Sequence, residues 1–469
     1  MFKHKQTNIL FALTMIMVTI GLIMVYSASA PIAKAKKSTT SAATSALVKA
    51  QQTPRPLATT IPQINARVSG QDGQGSTLDT LRHTIEAGGL EDPLSEESFQ
   101  AIVRSSLHSQ SGLTNQIIAF IAGLIAMFFV FKVNIDRYSF KWLNLGMLIT
   151  FLLLLSTYFF QARNNAHRWI DLGHLTMQPS ELAKLVLVLW TSRILTIPQF
   201  HEDVSSRFSK IGRMLKSSTC IIMLVLGAMC LVVFFEPDMG ATIALIAIVC
   251  AIALAYGLPK KWIIIISVFV VGLGTLGLHV ESYRIERMTA FLDMDNPTVQ
   301  LNAGYQLRQS LIALGSGGIW GVGLGAGQQK YQYLSEVEND FIYALIGEEF
   351  GLVGTTIVLL LYASFVTIGL LIAKNATTMF ARLVAVGITT MIGISSMIHI
   401  VVVIGLAPTK GLTLPLISYG GTSLVINLVA VGILLGIAKD NEQKGPRLRR
   451  RNLDVYYQEN DSPASLSRY

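Results

Sequence analysis

Ten long apolar runs fix what this chain can become. They lie at Ile9–Val25, Ile117–Phe131, Trp142–Phe160, Ser180–Leu195, Cys220–Phe235, Ala241–Tyr256, Trp262–Leu278, Phe341–Ile372, Leu383–Leu406 and Thr422–Ala438. A helix needs about 20 apolar residues to cross a hydrocarbon core, and most of these runs approach that length. Only 14% of the 469 residues are charged, against roughly a quarter in a soluble domain. A membrane barrel would show weak alternation in short segments, whereas these runs are continuous. The expected fold class is an all-α polytopic membrane protein with about ten transmembrane helices, and a soluble globular fold is excluded.

Charge placement sets the expected orientation. The net charge of +9 sits mainly in alternate short loops (Lys132, Arg137 and Lys141; Arg207, Lys210, Arg213 and Lys216; Lys260 and Lys261; Lys374 and Arg382) and in the tail at Arg447, Arg449, Arg450 and Arg451. That is a positive-inside pattern, not a groove for nucleic acid, and it puts both termini in the cytoplasm. The first run follows Lys3 and Lys5 and ends in Ser27-Ala28-Ser29-Ala30. Small residues so spaced suit a signal peptidase, but the run is long for a signal core and reads as an uncleaved span. Cys220, Cys230 and Cys250 fall inside apolar runs without C-x-x-C spacing, so neither a disulfide nor a metal site is expected.

Four regions follow. Residues 1–30 form the N-terminus and first span; residues 31–114 form a polar extracytoplasmic insertion, partly disordered, with short amphipathic helices between Leu78 and Leu107. Residues 115–438 form the transmembrane core, with a large outer loop over 279–339 between spans 7 and 8, and residues 439–469 form a basic tail.

Chemistry points to that outer loop and to charges within spans. Glu181 and Lys184 share one helix face, and Glu348 and Glu349 lie about two turns into their span. Intramembrane charges are functional candidates by default, although a structural ion pair satisfies the same pattern. Arg193 lies late in its span, where it snorkels to the cytoplasmic side. The outer loop carries SGGIWGVGLGAG at Ser316–Gly327, which has no P-loop ending and suits tight turns or a re-entrant segment packed on the bundle. It also carries Asp293 and Asp295 with Arg284, Arg287 and Arg308. Cations hold a carboxylate ionised, which suits proton abstraction from a sugar hydroxyl and binding of a pyrophosphate; a solvated charged loop has the same composition.

Four segments together carry a resemblance: NNAHRWIDLG…MQPSELAKL (Asn164–Leu185), EPDMGATIAL (Glu236–Leu245), Gly304–Gly354, and APTKGLTLPLISYGGTSL (Ala407–Leu424). They resemble the SEDS family, the FtsW, RodA and SpoVE proteins of bacterial cell-wall synthesis, and the PTKGLTLPLISYGG form is similar to that of the division branch. The resemblance implies an inverting peptidoglycan glycosyltransferase that polymerises lipid II at the outer face of the cytoplasmic membrane, at the division septum. The acceptor's 4-hydroxyl attacks C1 of the growing chain, undecaprenyl pyrophosphate leaves, and an Asp shortly before GYQ acts as base with a divalent cation, Mg or Mn. Here the family's D-P-[FL]-G-x-G-Y-Q is stretched between Asp295 and Gly304-Tyr305-Gln306. Asp295 falls nearest the position of the base, and Asp293 is the second candidate.

The resemblance further implies substrate-binding roles for Arg168, Trp169, Gln178, Ser180, Glu181 and Lys184, with Pro179 starting their helix. It extends these roles to Glu336, Asp340 and Glu349, although Ser335 stands where the family has proline and Glu338-Asn339 where it has HT. Lys410, Ser418 and Tyr419 fit the last motif, while Asp238 suits a structural turn as well as catalysis. A class B penicillin-binding protein transpeptidase and other divisome proteins are the implied partners. A lipid II flippase and a non-catalytic divisome scaffold are the competing readings.

Overall fold

The computed structural model describes residues 5–51, 96–160, 167–171, 176–197, 218–257, 272, 282–293, 304–330, 334 and 337–460. Among the described residues the fold is all-α apart from one short antiparallel pair, β1 (Ile170–Asp171) with β2 (Thr176–Met177). The helices are α1 (Lys5–Gln51), α2 (Glu96–Lys132), α3 (Phe140–Ser156), α4 (Pro179–Thr196), α5 (Ser218–Phe235), α6 (Met239–Tyr256), α7 (Ser282–Leu292), α8 (Tyr305–Gly317), α9 (Ile342–Lys374), α10 (Met379–Val403) and α11 (Gly421–Asn460).

Among the described residues seven segments are long and apolar enough to cross a membrane: Lys5–Ser29, Leu113–Lys132, Phe140–Phe159, α6, α9, α10 and Gly421–Lys444. The chain is thus a polytopic membrane protein. The run at Ser180–Leu195 is helical as α4, but Glu181, Lys184 and Arg193 lower its hydropathy, and α5 is apolar but short. The span expected at Trp262–Leu278 lies outside the described residues, apart from Gly272.

Two compact units are separable. One comprises residues 1–25 with 115–469, the other residues 26–114. In the second, helix continues to Gln51 and resumes at Glu96, within the stretch expected to hold short amphipathic helices; residues 52–95 lie outside the described residues.

Within the first unit α10 packs against α4, α6 and α9. Its Leu383, Val384, Ile388, Ile392 and Val403 are fully buried. On α2 and α3, by contrast, Phe129 is 70% and Trp142 72% exposed, as a lipid-facing surface requires. Small residues permit the closest helix contacts. A Cβ on Gly432 would lie 2.6 Å from the Met127 carbonyl oxygen, and one on Gly387 would meet Val188 at 2.6 Å.

Helix α9 departs from the single unbroken span expected of Phe341–Ile372. At Gly351 the backbone turns to φ 65°, ψ −160°, which divides the helix in two. The break frees backbone groups, and the glycine-rich segment takes them up. Val322 and Gly323 donate to the carbonyls of Glu348 and Glu349, while Leu352 and Val353 donate to those of Gly318 and Ile319. The exchange needs backbones nearly touching: a Cβ on Gly321 would lie 2.2 Å from the Glu349 carbonyl oxygen. This is the physical reason for the glycine density of Ser316–Gly327, and it fulfils the reading of a segment packed on the bundle.

Candidate functional site

The turn between α5 and α6 is the hub of a polar cluster at one end of the bundle. Asp238 caps α6, its Oδ1 accepting from the Ala241 amide at 3.0 Å. Its Oδ2 accepts from Gln178 Nε2 at 3.1 Å and Ser180 Oγ at 3.4 Å, both at the start of α4. Arg168 reaches the same turn, its Nε donating to the Glu236 carbonyl at 3.2 Å and its Nη2 to the Pro237 carbonyl.

Loop 404–420 closes over this turn. A Cβ on Gly411 would lie 3.0 Å from Arg168 Nη1 and 3.3 Å from Asp340 Oδ2, so guanidinium and carboxylate converge on a position that only a side-chain-free residue leaves open. Burial lowers the Lys410 ammonium below its ordinary range, against the opposing pull of Asp238. Ser418 fixes the loop: its Oγ donates to the Asn339 carbonyl at 2.6 Å and accepts from the Leu414 amide at 2.8 Å. The Tyr419 amide donates to the Glu338 carbonyl, and Gln116 of α2 bonds both Ser418 and Gly420.

Beneath lies the ion pair Lys184–Glu181 at 2.7 Å, nearly sealed from solvent. Ser423 donates to the second Glu181 oxygen at 3.2 Å and is itself held by Asn427 and Thr413. The pair is well provided with hydrogen bonds, as a buried pair must be.

The structure therefore gathers Arg168, Gln178, Ser180, Glu181, Lys184, Asp340, Lys410, Ser418 and Tyr419, with Trp169 half-buried beside Arg168. It does not gather Glu349. That carboxylate pairs with Lys330 at 2.8 Å, both side chains completely buried, while Glu348 accepts from the Gln328 and Gln329 amides. Asp293 is exposed at the end of α7, a helix tied to loop 404–420 by Arg287 Nη1 donating to the Thr409 carbonyl at 2.9 Å. Asp295 and Glu336 lie outside the described residues.

Sequence reasoning missed Glu236, Lys330, Ser423 and Asn427 as partners. For Lys330 a signal existed, because two adjacent carboxylates in an apolar span demand a cation.

Fold and cluster together define a class: a polytopic helical membrane protein with a charge-paired, loop-covered cluster at one end. A family model described as cell cycle protein, of the FtsW, RodA and SpoVE group, matches residues 95–443. The chain belongs to this family. It is 38% identical over 336 residues to the probable peptidoglycan glycosyltransferase FtsW of Taylorella equigenitalis, covering 70% of this chain and 88% of that one. It is 36% identical to the stage V sporulation protein E of Bacillus subtilis, covering 68% and 84%. Among solved structures, a chain from a peptidoglycan synthase complex that coordinates polymerization and crosslinking shares the fold with a TM-score of 0.55 and 23% identity, over 70% of this chain and 90% of that one. The rod shape determining protein RodA of Thermus thermophilus shares it at 0.50 and 24%, over 70% and 88%.

Proposed function

We propose that the chain is a septal peptidoglycan glycosyltransferase that polymerises lipid II, with its polar cluster at the outer face of the bacterial inner membrane and both termini in the cytoplasm. The observation that carries this is convergence. Segments around residues 168, 180, 238, 340 and 410, far apart in sequence, meet at Asp238 and Gly411. Relatives named as peptidoglycan glycosyltransferases support the chemistry.

In this reading a loop carboxylate, Asp295 or in second place Asp293, takes the proton from the acceptor's 4-hydroxyl as its oxygen bonds to C1 of the donor sugar. The C1–oxygen bond to pyrophosphate breaks from the opposite face, with inversion, and the electron pair leaves with the lipid pyrophosphate. Arg168 and Lys410 are the cations placed to stabilise that departing charge. Arg287 ties the helix that carries Asp293 to the loop that carries Lys410. Among the described residues no three His, Cys, Asp or Glu side chains form a metal cage. Asp293 or Asp295 would hold a divalent cation, Mg or Mn, which would supply positive charge to offset that of the departing pyrophosphate.

A class B penicillin-binding protein transpeptidase is the proposed partner, supported by the synthase complex whose chain shares this fold; other divisome proteins complete the assembly. The broken α9 favours a second reading, a lipid II flippase, because discontinuous helices are transporter devices. Fluorescent lipid II offered to the purified chain with its transpeptidase separates the two. Glycan strands are expected, and Asp295→Ala is expected to lower their rate about 10²–10⁴-fold. Leaflet transfer without strands means the flippase, and an Asp295→Ala protein as fast as wild type removes that base assignment.

A further inference from the structure

Glu236 is a carboxyl group that the reaction outlined above does not use. It sits in the turn between α5 and α6, only 1% exposed. Its Oε1 accepts from Thr157 Oγ1 at 3.0 Å, and among the described residues its buried Oε2 meets no hydrogen-bond partner. A carboxylate offers about four acceptor sites, so a buried one with a single donor is badly solvated; a neutral acid in that place loses far less. The neighbouring cation, Arg168, offsets this only in part. Arg168 spends its Nε and Nη2 donors on the backbone carbonyls of Glu236 and Pro237.

We infer that Glu236 is a positioning residue for Arg168, and that the proton it carries keeps the Glu236–Pro237 carbonyls turned onto the guanidinium. The turn joins the two groups through its backbone carbonyls. Ionised, Glu236 would attract the guanidinium away from those carbonyls, and hence from its place beside Asp340 at Gly411.

The surroundings favour the protonated form. Burial pushes the carboxyl up to about 8, and Asp238 adds to this, while Thr157 and Arg168 pull it down. Tyr158, in the short turn after α3, faces the group with its hydroxyl donated to Val232, His167 stacks on Tyr158, and Lys410 lies beyond Asp238. No second cation is thus placed to hold Glu236 ionised among the described residues.

The inference rests on the polymerase reading for its activity arm only. The full chain in lipid nanodiscs is titrated by infrared spectroscopy. Wild type is expected to show a protonated carboxyl band that disappears with a midpoint near pH 8, absent from Glu236→Gln. In the lipid II assay wild type is expected to lose activity above that midpoint, about tenfold per pH unit, whereas Glu236→Gln, which keeps the Thr157 bond, runs level across the same range. Thr157→Val removes a contact that favours ionisation and is expected to move both midpoints to higher pH, which keeps a test in hand if Glu236→Gln does not fold. An infrared band missing at pH 6, or an alkaline loss that persists in Glu236→Gln with an unmoved midpoint in Thr157→Val, overturns the inference. A chain that makes no glycan at any pH yet shows the titrating band overturns the polymerase reading and leaves the titration standing.

Discussion

Among the described residues two groups of buried charge sit in this bundle, and they are built differently. The latch at Lys330, Glu348 and Glu349 is sealed: the ion pair has no solvent exposure, and Glu348 is consumed by the amides of Gln328 and Gln329. The cluster around Asp238 is graded. Asp238 and the Lys184–Glu181 pair are buried, whereas Arg168, Asp340 and Lys410 are half-buried. Full burial fits a fastening, because a charge without water access cannot meet a substrate. Partial burial fits a binding edge, where low dielectric strengthens a contact that arrives from outside. The latch holds the glycine-rich segment against the break in α9, and the segment's far end leads to Asp340.

The sharpest way to break this contrast is to remove one partner of the latch. Lys330→Met leaves Glu349 buried without its cation and is expected to cost about 3–5 kcal/mol of stability. A matched Lys330→Met/Glu349→Met protein should recover much of it. Thermal unfolding in lipid reads both, and a single variant as stable as wild type means the pair is not sealed.

Next in size is a pH effect on the graded side. Burial pushes the Glu236 carboxyl from 4.5 up to about 8, so the folded state keeps its proton where the unfolded state has lost it. Its contribution to stability is therefore complete below about pH 4.5 and falls as pH rises toward 8. Glu236→Gln lacks this slope. Melting temperatures measured from pH 5 to 9 are expected to diverge in favour of the variant up to about pH 8 and then run parallel, a gap on the order of a few kcal/mol. Parallel curves throughout would place Glu236 in contact with water.

How these groups were encoded explains what could be read in advance. The spans were legible because membrane crossing demands long apolar runs; nine of the ten runs carry a described helix. The break in α9 was not, since Gly351 in an apolar run looks like any packing glycine until its φ is known. The convergence of Arg168, Gln178, Ser180 and Lys184 was visible through their motifs. The pairing of Glu349 with Lys330 was not, because 19 residues separate them and only the folded-back segment brings them together. Glu236 lies two residues before Asp238, which was weighed for chemistry, yet nothing in one sequence says which of two nearby carboxylates will lose its water.

At the graded site Arg168→Lys sharpens the comparison further. A lysine keeps the charge but has no planar fork with which to grip two carbonyls. The polymerisation rate is expected to fall about tenfold, one charged hydrogen bond's worth, with unfolding little changed. A loss of stability like that of Lys330→Met would instead make Arg168 a second fastening.

The smallest effect lies at the opposite end of the bundle, where Glu442 of α11 serves the first turn of α1. Its Oε1 accepts from the Gln6 amide at 2.8 Å and the Thr7 amide at 3.3 Å, and its Oε2 accepts from Thr7 Oγ at 3.0 Å. A helix start leaves amides unsatisfied, and a carboxylate there also meets the positive end of the helix dipole. This carboxylate comes from the far end of the chain and is only part-buried, so water replaces much of what its loss removes. Glu442→Ala is expected to cost about 1 kcal/mol, seen as faster hydrogen exchange at residues 6 and 7 with polymerisation unchanged. Unaltered exchange would mean that water already satisfies those amides.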